Sequence, residues 1–261
     1  EEINKAMQQV LNSGQFILGE NVGKFEKEFA DFCNAKYSVG VNSGTSALHL
    51  ALLAKEIGKG DEVITTPNTF IATCEAISYT GAVPKFVDIV PDTYNMDAKK
   101  FEKSINSNTK AVIPVHLYGQ PADMKEIMEI AKKNNITVIE DACQAHGAEH
   151  YKKKTPYSDV GCFSFYPGKN LGAYGEGGCV VSNNKEVDEL IKAYRDHGQI
   201  KKQVHKYIGY NYRLEELQAA VLMVKLRHID KWTDMRRKNA MLYNEMLKDC
   251  DAVAPIEKEY N

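Results

Sequence analysis

The sequence predicts an α/β fold, and three observations carry that prediction. Short β-prone runs alternate with amphipathic stretches along most of the chain. Several of those runs are almost continuously apolar, as in strands covered on both faces by helices in a largely parallel sheet. The 261 residues, 43% of them hydrophobic, supply enough apolar material for one large core or a core with a small appended domain.

Taken in order, the first predicted helix spans Val22 to Asn34, where Val22, Phe25, Phe29 and Phe32 recur at three- and four-residue steps and polar residues fill the gaps. Seven strands are predicted at Ser38–Val41, Glu62–Thr66, Lys85–Asp88, Ala111–Val115, Ile136–Glu140, Val160–Phe165 and Gly178–Ser182. Helices are expected between them at Thr45–Glu56, Thr69–Tyr79, Ala122–Asn134 and Glu186–His197, each bounded by turn residues. From Tyr210 to Ala254 there is neither glycine nor proline. There Leu214, Leu217, Val221, Leu226, Ile229 and Trp232 predict long or closely joined helices, leading from the sheet domain toward a second, smaller one.

Charge excludes several function classes. Basic side chains number 33 and acidic ones 35, a formal charge of −2, so no electrostatic excess points to nucleic acid or an anionic membrane. No apolar run approaches the roughly 20 residues of a membrane span, and Glu1-Glu2-Ile3-Asn4 resembles no signal peptide, which makes the cytoplasm the expected location. Six cysteines without a C-x-x-C pair fit reduced thiols better than disulfides or a zinc site. The chain opens without methionine and stops within Glu257-Lys258-Glu259-Tyr260-Asn261, so either end is read as a possible boundary within a longer protein.

Ligands of open α/β sheets bind beyond the carboxyl ends of the strands, and polar residues collect there. Asn42-Ser43-Gly44-Thr45-Ser46 links the first strand to a helix, His116 follows the fourth strand, Asp141 the fifth, and Gly168-Lys169-Asn170 the sixth. The turn at Ser43–Ala47 offers unpaired N–H groups, hydroxyls and a helix N-terminus to a phosphate; an ordinary Ser/Thr cap has the same appearance. Asp141 stands past a buried strand, where a cationic partner such as a protonated ring nitrogen would offset the cost of burying its charge; the alternative is a helix-capping aspartate. Lys169 lies in a turn rich in glycine, suited to a Schiff base if its pKa is lowered, although a solvated surface lysine is the commoner case.

Rival motifs fail on spacing. Gly161 precedes Gly168 by seven positions and residue 170 is asparagine, so no phosphate loop of the G-x-x-x-x-G-K-[ST] kind is present. Gly172, Gly175 and Gly177 do not follow the dinucleotide order and run into a strand. Ser164 and Lys169 have the wrong interval for a serine–lysine pair. His146 and His150 flank Gly147 without a third metal ligand and are read as ordinary polar residues.

Phosphate cup, acid after a buried strand and lysine in a glycine-rich turn, in that order, are the parts a pyridoxal phosphate enzyme needs. The chain resembles the DegT/DnrJ/EryC1/StrS family of nucleotide-sugar aminotransferases, of the fold type I class. The residues that carry the likeness include Asn42–Leu48, Pro67–Thr73, Val115–Gly119, Glu140–Gly147, Ser164–Gly172 and Gly209–Arg213. The resemblance implies a three-layer αβα large domain with a mostly parallel seven-stranded sheet over 1–232, and the start of a small C-terminal domain over 233–261. Family members continue well beyond that point.

It implies pyridoxal 5′-phosphate as cofactor, with Lys169 bonded to it as a Schiff base and Asp141 paired with its pyridine nitrogen. Gly44, Thr45, Ser46 and Ser164 would hold the phosphate. Phe70 would stack on the ring, and Gln144 would contact the ring hydroxyl. Asn211 would reach the phosphate of the cofactor in the neighbouring subunit, which implies a homodimer with shared active sites. His116 and His146 match positions near the pocket without an assigned role.

The implied substrates are an amino-acid donor, L-glutamate, and a nucleotide-linked keto-sugar. Some relatives replace the lysine by histidine and become dehydratases; Lys169 favours transamination. The tract Phe165–Gly172 resembles members that aminate C3 of the hexose more than those acting at C4. The alternatives are C4 amination and a non-catalytic, regulatory relative.

Overall fold

Seven strands form one sheet in the computed structural model, which describes residues 1–260. They are β1 (Tyr37–Val41), β2 (Glu62–Thr65), β3 (Val83–Phe86), β4 (Thr109–Val112), β5 (Thr137–Asp141), β6 (Val160–Ser164) and β7 (Gly178–Ser182). Their spatial order is β1-β7-β6-β5-β4-β2-β3. Neighbours run parallel except at β7, which pairs antiparallel with both β1 and β6.

Because side chains alternate across a strand, each one feeds two layers. Val63, Ala111, Cys162 and Val180 join a core with α3 (Gly44–Ala54), α4 (Ala72–Tyr79) and α7 (Lys185–Arg195). Phe163, Cys179 and Val181 turn the other way, against α2 (Glu20–Phe32) and α8 (Glu216–Leu226). On that second face Ile64 and Val112 pack against α5 (Ala98–Ser104) and α6 (Met124–Lys133). The periodic Phe25 and Phe29 meet Phe165 edge-on at 5.2 and 5.1 Å between ring centroids, so the helix predicted from spacing is buried as expected. α1 (Glu2–Ser13) contributes only Val10 to the buried set, and α9 (Ile229–Met246) only Ile229.

Four strands differ from their predicted limits by one residue at one or both ends, and two are shifted further. The apolar run Ala111–Val115 leaves the ladder at Val112, because Pro114 has no N–H to donate, and only an isolated bridge joins Val115 to Asp141. β3 begins earlier than predicted, at Val83, and takes in Pro84; a proline is tolerated there because β3 is the edge strand. α4 starts at Ala72 and not at Thr69, which leaves Phe70 outside it. α1 and α5 were not expected. The run after Tyr210 resolves into α8 and α9, separated at Arg227–His228.

Charged groups fix the order of the layers. Gly19 caps α2 without a side chain, so the N–H groups of Asn21 and Val22 would be orphaned. Glu216 of α8 accepts both, at 3.0 and 2.9 Å, and is itself 1% exposed. Arg195 of α7 donates to the Glu26 carboxylate and to Gly40 O, joining α7, α2 and β1. All six cysteines are free thiols, and no helix among the described residues is long and apolar enough to cross a membrane.

Candidate active site

The carboxyl ends of β1, β5 and β6 open onto one cavity of about 520 Å³. Of the residues singled out in the sequence, Gly44, Thr45, Phe70, Asp141, Gln144, Ser164 and Lys169 all line it. Ser46 and Asn211 do not.

The cup at the start of α3 is built by side chains that keep the main chain free. Ser43 Oγ accepts from Ser46 N at 3.0 Å, and Ser46 Oγ donates to Asn42 Oδ1 at 2.6 Å. The hydroxyl proton of Ser46 is therefore spent inward, and Ser43 is the donor in the 2.9 Å contact between the two hydroxyls. Ser46 thus shapes the cup and does not offer its hydroxyl to the cavity. The N–H groups of Gly44 and Thr45 have no protein acceptor among the described residues and lie at the positive end of the helix. A Cβ at Gly44 would stand 2.7 Å from Ser164 Cβ and 2.8 Å from Cys143 Sγ, so only glycine lets the cup close onto β6.

Asp141 ends β5 and is 6% exposed. Its Oδ2 accepts from Thr73 Oγ1 at 2.8 Å and its Oδ1 from Cys143 N at 3.2 Å. Since Thr73 spends its proton on the carboxylate, Thr69 donates to Thr73 across 2.8 Å, and a hydroxyl chain runs toward Asp141 from the loop that precedes α4. Two donors hold the carboxylate while it still faces the cavity. Its second neighbour, the Cys143 thiol, is pushed well above its ordinary pKa by burial and by Asp141, and packs as a neutral group.

Behind Asp141 lies a buried pair. His116 Nδ1 accepts from Ala122 N at 3.2 Å, so the ring proton is on Nε2 and is donated to Glu140 Oε2 at 2.8 Å. Burial alone would raise the Glu140 carboxyl, but hydrogen bonds from His116 and Ser158 outweigh it and hold the group below its ordinary range. His116, expected near the rim, is fully buried and points away from the cavity, while its N–H donates to Asp141 O at 3.0 Å.

Lys169 follows β6 in a turn closed by its own N–H on Tyr166 O at 2.8 Å. Its ammonium has no ion pair or hydrogen bond among the described residues. Gln144 Oε1 accepts from Tyr118 N at 2.9 Å, which leaves the amide NH2 as the free end. Phe70 is 70% exposed, an uncovered ring at the cavity wall. His146 and His150 are both buried; His146 packs against Phe163 and Phe165, and burial lowers its pKa to about 4.

Asn211 is exposed, and its backbone bridges Asp196, which in turn accepts from Arg213 at 2.6 Å. Ser43 of the predicted phosphate turn lines the cavity too, and Thr73, Thr69, Tyr166 and Glu176 also line it but were not singled out from sequence. Thr73 meets Asp141 across 68 positions of chain, a relation no local pattern signals.

These parts suit a planar, protonated aromatic ring bearing a phosphate. The free N–H groups of Gly44 and Thr45 can take the phosphate, Asp141 can take the ring N–H, and Lys169 can take an aldehyde.

The chain matches the model of the DegT/DnrJ/EryC1/StrS aminotransferase family over residues 1–261. It is 47% identical over 249 residues to a "Pleiotropic regulatory protein" of Geobacillus stearothermophilus, a match covering 95% of this chain and 67% of that one. It is 45% identical over 243 residues to a dTDP-3-amino-3,4,6-trideoxy-alpha-D-glucose transaminase of Streptomyces venezuelae, covering 93% of this chain and 64% of the relative. Among solved structures, S. venezuelae DesV in complex with ketimine intermediate superposes with a TM-score of 0.98 at 42% identity, over 99% of this chain and 70% of that one. The chain thus spans about two thirds of the length of the relatives it matches.

Proposed function

The chain belongs to the DegT/DnrJ/EryC1/StrS aminotransferase family, whose members depend on pyridoxal phosphate, and from that premise we propose that it moves an amino group from L-glutamate to C3 of a nucleotide-activated keto-deoxyhexose. The observation that carries the proposal is that Asp141, Lys169 and the N-terminus of α3 open onto one cavity. When bound, the cofactor supplies an electron sink for the carbanion left as a proton departs from the amino donor.

The protein's own groups do the rest. Gly44 and Thr45 N–H and the Ser164 hydroxyl bind the phosphate. Thr73 and Cys143 N orient Asp141, which keeps the ring nitrogen protonated. Lys169 Nζ would hold the cofactor and, once freed by the donor, would act as the base that takes the proton from the donor α-carbon and as the acid that gives it back. The Gln144 amide donates to the ring oxygen, and Phe70 covers the ring face.

The preference for C3 rests on the Phe165–Gly172 tract and on the 3-amino sugar named for the S. venezuelae relative. Asn211 would reach the cofactor phosphate of a second copy: it is exposed, lies outside its own cavity and is held by Asp196. Phe70, Ile71 and Tyr79, all more than half exposed, offer apolar surface to such a partner. Residues from 233 onward begin a second, smaller domain, a reading supported by α9 burying only Ile229. The regulatory name of the G. stearothermophilus relative favours a non-catalytic reading, but the pairing of Lys169 with Asp141 in one cavity weighs against it.

The test is a panel of 3-keto and 4-keto nucleotide sugars offered with glutamate. A 3-amino product supports the proposal and a 4-amino product refutes the C3 assignment. Visible cofactor absorbance that vanishes in Lys169→Ala, with a rate loss on the order of 10²–10⁴, supports catalysis. A wild type that cannot be loaded with cofactor would establish the regulatory reading instead.

A further inference from the structure

A second cavity, of about 400 Å³, adjoins the first at Gln144 and Lys169, which line both. Tyr118 and Thr233 form part of its wall, and Arg236 and Arg237 of α9 complete it. No carboxylate lines it. Neither arginine has an ion pair or hydrogen bond among the described residues. Glu149 and Glu257 line the neighbouring hollow beyond Arg237 without pairing with it. The contrast with the rest of the molecule is informative, since Arg195 and Arg213 each hold a carboxylate. α9 is anchored over this cavity by Thr233, whose hydroxyl accepts from Asn170 Nδ2 at 3.2 Å, next to Lys169 in sequence.

Two unpaired guanidinium groups at one cavity make a field that favours a dispersed negative charge. The planar fork of arginine matches the geometry of a carboxylate or a phosphate. Amino transfer at Lys169 requires the reacting carbon to sit at the shared boundary of the two cavities, so whatever is attached to that carbon extends into the second.

Resting on the aminotransferase reading, the geometry points to Arg236 and Arg237 as an oxyanion subsite of this centre, binding an anionic group of the substrate. Two sources carry that chemistry: the carboxylates of the amino-acid donor, and the diphosphate of the nucleotide sugar.

The test uses the holoenzyme with Arg236→Gln, Arg237→Gln and the double variant, and Lys238→Gln as a control that removes a charge from α9 outside the cavity. Binding of glutarate and of inorganic pyrophosphate is measured by calorimetry, and the glutamate and keto-sugar half-reactions are followed separately. Each single variant is expected to weaken one probe about tenfold, the loss of one charged hydrogen bond, with Lys238→Gln unchanged. Loss confined to glutarate and the glutamate half-reaction assigns the subsite to the donor carboxylate; loss confined to pyrophosphate and the keto-sugar half-reaction assigns it to the diphosphate. Unchanged binding of both probes in the double variant overturns the inference. Because calorimetry needs no turnover, that result is distinct from failure of the aminotransferase reading, which shows as absent cofactor absorbance in the wild type.

Discussion

Thr73 donates its hydroxyl proton to Asp141 Oδ2 at 2.8 Å, while the other carboxylate oxygen accepts from Cys143 N at 3.2 Å. The consequence is that Asp141 cannot rotate without leaving a donor unpaired. Thr73→Val should therefore lower amino-transfer turnover by about tenfold through loss of one charge-assisted bond. Thr73→Ser should keep most of it. Equal rates in the valine and serine variants would show that the hydroxyl does not orient Asp141.

Gly44 and Gly23 give a paired test of packing against propensity. Alanine at Gly44 drives a methyl into Ser164 and Cys143 and should cost about 1–3 kcal/mol, with a matching fall in cofactor affinity. Alanine at Gly23, inside α2 with nothing within 4 Å of the added carbon, should be neutral or stabilise by about 0.4–1 kcal/mol. Thermal melts and a cofactor titration of both variants decide the matter.

Burial lowers the pKa of both His49 and His146 to about 4. Each takes up its proton in the unfolded chain at a higher pH than in the folded one. Their contribution to stability is complete above pH 6.5 and is lost as pH falls toward 4. For His146 the loss is on the order of 3 kcal/mol. His146→Leu should flatten the fall of melting temperature across that interval; an acid profile like that of the wild type would contradict the burial account.

Glu216 closes the N-terminus of α2 from a distance of 194 residues. Glu216→Ala should cost about 2–3 kcal/mol, because it orphans two N–H groups at a helix start. Glu216→Gln, which keeps an acceptor, should cost about 1 kcal/mol. Urea unfolding should show lower midpoints with an unchanged slope.

The sheet was legible because its central strands are buried on both faces, and Val112 and Val138-Ile139 needed no partner information to be read. Its limits were less so. Pro114 ends a ladder within an apolar run, a matter of one missing donor and not of hydrophobicity. α5 has seven residues, too few for periodicity, and only its Asp97 cap and the buried Phe101 mark it. α1 has apolar residues at helical steps but buries one, so its pattern is faint. In the site, the local motifs delivered Gly44, Asp141 and Lys169. Ser46, expected to hold a phosphate, instead gives its hydroxyl proton to Asn42 Oδ1, an acceptor visible only in three dimensions.

β7 lies between β1 and β6, although β1 is finished more than a hundred residues before it. During translation, then, one margin of β1 and one of β6 stay without partners until Gly178–Ser182 has left the ribosome. Nascent chains stalled before that point should bind holdase chaperones, and those stalled after it should let go, since a single late insertion seals both open margins at once.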